Sequence, residues 1–132
     1  MRIPNICCIF AAKNEINRAL VAKNLEKCRM KRPHIVNMIS TIARQAMPNA
    51  EVFLFGSEAR GDARIDSDID LLILLNQNHV SWQDKERVVA PLYDIELQTS
   101  TIINPIIYTQ SDWKNRPLDY FKLNVMSEGV RL

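Results

Sequence analysis

A chain of 132 residues with 47% hydrophobic and 24% charged residues has the size and balance of one soluble globular domain with a single modest core. Its net charge of +2 is unevenly spread: residues 1–33 hold eight Lys/Arg and two acids, net +6, whereas residues 34–132 hold nine and thirteen, net −4. The body therefore lacks the basic face of a nucleic-acid-binding domain, which argues against nucleic acid as the main partner.

Residues 1–30 read as a basic amino-terminal arm ahead of a domain spanning 31–132. The apolar run Ile6–Ala12 is too short to cross a membrane and has only one basic residue before it, a poor match to a secretory signal. Cys7, Cys8 and Cys28 are odd in number and lack Cys-x-x-Cys spacing, so they form neither a disulfide framework nor a zinc site, and the cytoplasm is the expected location. Glu15–Arg29 sets Ile16, Ala19, Leu20 and Leu25 loosely at helical spacing, yet no loop chemistry joins it to the domain beyond. Met30 is accordingly expected to be the genuine start. The alternative is an arm that docks on a partner or a sibling subunit.

From His34 to Met47, apolar residues recur every three or four positions and predict an amphipathic helix stopped by Pro48-Asn49. Glu51–Phe55 predicts a strand covered on both faces, and Ser57 a helix N-cap with Glu58-Ala59-Arg60 as first turn. A second strand is expected over Asp68–Leu75, ending in the loop Asn76-Gln77-Asn78-His79, with His79 on the surface. Ser81 caps a helix carrying Trp82, Val88, Val89, Leu92, Tyr93, Ile95 and Leu97, in which Pro91 predicts a kink or a split near Val89. Ile102–Tyr108 predicts a third strand, which Pro105 confines to the sheet edge or to a bulge. The last helix is expected to start near Arg116-Pro117 and to stop at Gly129, after Glu128. Trp82, Trp113 and Tyr120 read as core or interface anchors. This order predicts an α/β fold, one small mixed β-sheet packed with helices.

The chemistry gathers in residues 52–75, VFLFGSEARGDARIDSDIDLLILL. Gly56 allows a phosphate to approach the backbone closely, and Ser57 adds a hydroxyl beside backbone N–H donors. In an extended chain Asp68 and Asp70 point to one face, so both carboxylates can reach one cation. Arg60 either neutralises phosphate charge or pairs with Glu58, Asp62 or Asp66, and Arg64 offers the same choice more weakly. Asp94-Ile95-Glu96 repeats the spacing in a helical context, where residues two apart do not share a face, and reads as a solvated surface.

Gly56-Ser57, ten intervening residues and then Asp68-Ile69-Asp70 resemble the signature of the polymerase-β-type nucleotidyltransferase superfamily, and Ala59-Arg60-Gly61-Asp62 with Ser67 resembles its minimal, antitoxin-like branch. The resemblance covers roughly residues 34–132. It implies the nucleotidyltransferase fold, with Asp68 and Asp70 as catalytic residues holding two Mg²⁺ ions and with Gly56, Ser57 and Arg60 binding the nucleotide. It further implies transfer of a nucleoside monophosphate, AMP from ATP, onto a hydroxyl acceptor. The acceptor site would come from a partner such as a HEPN-type toxin, or from a dimer mate. The sequence departs from the pattern at the third carboxylate, whose place falls on Asn104; either the reaction is slow, or another acid such as Glu96 substitutes, or the domain binds without chemistry. An antitoxin acting by contact alone and an antibiotic-modifying enzyme are the alternative readings.

Overall fold

The computed structural model describes residues 30–132; the arm and its cysteines lie outside the described residues. Helix α1 (Pro33–Ala46) leads into β1 (Ala50–Phe55), a short α2 (Gly56–Arg60), β2 (Ile69–Leu75), α3 (Trp82–Thr99), β3 (Ile103–Thr109), α4 (Gln110–Asn115), α5 (Tyr120–Glu128) and β4 (Val130–Arg131). The strands form one mixed sheet in the order β3-β2-β1-β4, with β2 antiparallel to β1 and parallel to β3, and β4 antiparallel to β1. The α/β class and the small mixed sheet are as expected.

The alternation of the central strands divides the core into two layers. Val52, Leu54, Ile69, Leu71 and Ile73 face α1 and α3, where they meet Ile35, Val36, Ile39, Val88, Leu92 and Ile95. Phe53, Phe55, Leu72 and Leu74 face the other way, against Trp113, Phe121 and Val125 of α4 and α5. Edge-on contacts run along this second layer: Phe55 to Phe121 and Trp113 to Phe121, each with ring centroids 5.5 Å apart. That layer carries α5 to the end of β1, where the candidate site lies.

Several expected boundaries move, each for a local reason. Helix α2 begins at Gly56 rather than after a Ser57 cap; Phe55 is its N-cap and no side chain caps it. Gly56, with φ +77°, turns the chain straight from strand into helix, so no capping residue intervenes. Ser81 does cap α3, in a reciprocal box with Asp84, and α3 runs unsplit through Pro91. Among the described residues strand β3 is an edge strand paired through β2 alone, one of the two placements that Pro105 allows. The last helix starts at Tyr120, not at Pro117, because the Asp119 side chain accepts the Lys122 amide and caps it there. The segment before it forms α4, capped by Thr109, and Gly129 passes the chain into β4. Trp113 is packed in the second layer, while Trp82 and Tyr120 are exposed. His79 is exposed too.

Candidate active site

The sheet register builds the site. Asp70 lies across from Phe55 on one side and from Asn104 on the other, so the end of β1, the start of β2 and the start of β3 meet there. Asp68 stands two residues ahead, just outside β2 and exposed. Gly56 follows Phe55 directly, so its backbone turns over the Asp70 carboxylate: a Cβ at Gly56 would sit 2.5 Å from Asp70 Oδ2. This fold thus needs glycine there twice over, for the positive φ and for the close approach.

Asp70 is half-buried, and burial pushes its carboxyl above the ordinary 3.8, while the Asn104 amide pulls the other way and the Asp68 charge adds to the push. Asn104 Nδ2 donates to Asp70 Oδ1 at 3.2 Å. The position where the family pattern has an acid therefore holds an amide that steadies the ionised aspartate. Glu96 does not take its place: one carboxylate oxygen accepts the Ile103 amide at 2.6 Å and fastens the start of β3 to α3. The expectation that Asp94-Ile95-Glu96 is wholly solvated is corrected likewise, since Ile95 is in the core and only Asp94 is exposed.

Ser57 is half-buried in the first turn of α2. Arg60 pairs with Asp62 at 3.2 Å and with Glu128 through Nη1, at 3.2 and 3.0 Å to its two oxygens, and these contacts raise its pKa and hold it charged. Arg64 pairs with Asp66 on the exposed loop. Beneath α2, Glu58 is fully buried and accepts the Arg32 amide at 2.7 Å and Arg32 Nε at 2.9 Å, which ties the start of α1 to the turn bearing Gly56 and Ser57.

Two of these residues, Glu58 and Glu128, do not stand out as site residues in the sequence. Glu128 also accepts the Gly56 amide at 3.2 Å across 72 residues. No short-range pattern carries that pairing. A fully apolar strand followed by Gly-Ser-Glu hints that the glutamate is covered, but its partner Arg32 is 26 residues away.

The description "Nucleotidyltransferase domain" belongs to a family model that matches residues 36–128. The chain belongs to this family. A nucleotidyltransferase relative from Methanocaldococcus jannaschii, named "Putative protein adenylyltransferase", is 36% identical over 73 residues, 55% of this chain and 71% of that protein. A solved structure, "Crystal structure of the toxin-antitoxin with AMP-PNP", has a similar fold, with a TM-score of 0.52 and 17% identity, covering 72% of this chain and 69% of that one.

Whether these residues suit Mg²⁺ can be judged from the donor set. Among the described residues no group of three or more His, Cys, Asp and Glu gathers closely enough to hold a metal alone. Mg²⁺, however, is commonly bound by one or two carboxylates together with substrate phosphates. A half-buried Asp70 whose ionisation is opposed by burial and by Asp68 gains from a cation, so the pair fits a metal brought with a triphosphate. No helix of the described residues is long and apolar enough to cross a membrane.

Proposed function

We propose that this domain is a Mg²⁺-dependent nucleotidyltransferase that moves AMP from ATP onto a hydroxyl of a partner protein, a HEPN-type toxin. The observation that carries the reading is the placement of Gly56 directly over Asp70, which sets a backbone able to take a phosphate against a carboxylate able to take a cation. Asp68 and Asp70 hold the metal; Gly56, Ser57 and Arg60 hold the triphosphate. When bound, Mg²⁺ supplies charge neutralisation on the phosphates and acidifies the attacking hydroxyl. The acceptor oxygen bonds to the α-phosphorus, the bond to the bridging oxygen of the β-phosphate breaks, and pyrophosphate leaves while the hydroxyl proton passes to water. The chain's own work is positioning: the buried Arg32–Glu58 pair fixes α2, and Asn104 orients Asp70. The relative named as a protein adenylyltransferase supports AMP and a protein acceptor, and the fold shared with a toxin-antitoxin structure supports the choice of partner.

Asn104 favours one second reading, a contact-only antitoxin, because an amide cannot serve as a general base. Labelled ATP, Mg²⁺ and the protein encoded next to this one, with an Asp68→Ala/Asp70→Ala control, separate the two. Metal-dependent label on the neighbour that the control abolishes is the expected result. Tight binding of the neighbour without label at any protein ratio would establish the contact-only reading instead.

A further inference from the structure

Two of the three residues that this reading gives to the triphosphate, Gly56 and Arg60, are already engaged by one side chain. Gly56 N–H and both oxygen contacts of Arg60 Nη1 converge on the Glu128 carboxylate. A carboxylate accepting from a backbone amide and a guanidinium presents the acceptors that two oxygens of a phosphate present. Its position is built into the fold rather than reached by a wandering surface residue. Val125 is buried one turn earlier on α5, Phe121 is stacked edge-on against Phe55, and β4 pairs with β1 immediately afterwards, Val130 opposite Leu54. The Glu128 side chain is only 17% exposed, against 47% for Arg60.

We infer that Glu128 is a further residue of the nucleotide site, an internal occupant of the phosphate position with which an incoming triphosphate must exchange. The inference rests on the assignment of Gly56, Ser57 and Arg60 to the triphosphate. Glu128 competes for the same donors and repels the arriving charge, so it sets the affinity of the site.

Calorimetric titration of the full chain with AMP-PNP in Mg²⁺ tests this, on the wild type, Glu128→Gln and Glu128→Ala, each checked for an unchanged melt. Loss of one partly exposed, charge-assisted contact set predicts roughly fivefold to tenfold tighter binding in the variants. Tighter binding in either variant supports the inference. Unchanged or weaker binding in both overturns it and leaves the nucleotide reading standing, whereas no binding by wild type or variants overturns both. A measurement free of any substitution stands beside it: in wild-type NMR spectra the Gly56 amide and the Glu128 side-chain carboxyl should shift together as AMP-PNP is added. A Gly56 shift with Glu128 unmoved would also overturn the exchange.

Discussion

Gly56→Ala separates the two demands placed on that residue. The first is conformational: at φ +77° an alanine is strained by about 1–2 kcal/mol. The second is the overlap with Asp70. The added Cβ would lie 2.5 Å from Oδ2 but 3.4 Å from Cγ and 3.5 Å from Cβ, so the carboxylate tip alone has to give way and β2 can stay in place. Turning that tip disturbs the 3.2 Å hydrogen bond from Asn104, for a further cost of about 1 kcal/mol. Urea denaturation should therefore show a total loss of roughly 2–3 kcal/mol. Repeating Gly56→Ala in an Asp70→Ala background removes the tip and the hydrogen bond together, so about 1–2 kcal/mol should remain there. A variant within about 0.5 kcal/mol of the wild type would refute the strained backbone. Equal losses in the two backgrounds would refute the close approach to Asp70.

Arg32→Met should destabilise the domain by about 3–5 kcal/mol in urea, because it strands a fully buried Glu58. Adding Glu58→Leu should recover most of that loss, since Arg32 Nη1 and Nη2 are themselves buried without partners among the described residues and the pair is costly to desolvate. Asp70→Asn should raise the melting temperature at pH 7. Burial lifts the folded carboxyl above its ordinary 3.8, so the folded state keeps a proton that the unfolded chain has released; stability falls as pH rises through that window, and the advantage of the amide should vanish well below pH 3.8. Asn104→Asp should lower stability without metal, by setting a second carboxylate beside Asp70, and should tighten Mn²⁺ binding by calorimetry; stability unchanged in EDTA would contradict it.

The reach of each signal along the chain decides how much of the fold and the site is legible in the sequence. The Gly56-Ser57 and Asp68-Ile69-Asp70 letters lie where β1 ends and β2 begins, two strands joined by one short connection, so a reading along the chain finds both and predicts their meeting. Periodicity likewise exposes α1, β1, β2 and β3, whose apolar residues repeat within a few positions. It overstates α3, where Val89, Tyr93 and Leu97 extend the apolar pattern onto an exposed face. It misses β4, because two residues offer no period to detect. Glu128 and Arg32 reach the site only through tertiary packing, across 72 and 26 residues, and a local pattern holds no information about either.

The charge balance of the site gives Asn104 a reason beyond lost chemistry. Asp68, Asp70 and Glu128 all act on the same small region, with Arg60 as the opposing charge felt at Asp70. Arg60 is itself divided between Glu128 and Asp62. A fourth acid at the register position facing Asp70 would leave two adjacent carboxylates with no cation between them until metal arrived. The amide instead donates to Asp70 and lets the site stand ordered without a ligand. In the reaction proposed above, the amide would leave the site without a general base there, so acidification by a bound metal would have to activate the acceptor. On the function proposed above, slow turnover at a site already ordered is the expected combination, and it would suit modification of a partner that stays bound better than processing of a free small molecule. The Asp70–Asn104 contact and the Glu128 contacts therefore act in opposite senses on the nucleotide: the first readies the carboxylate for it, and the second holds its place until it comes.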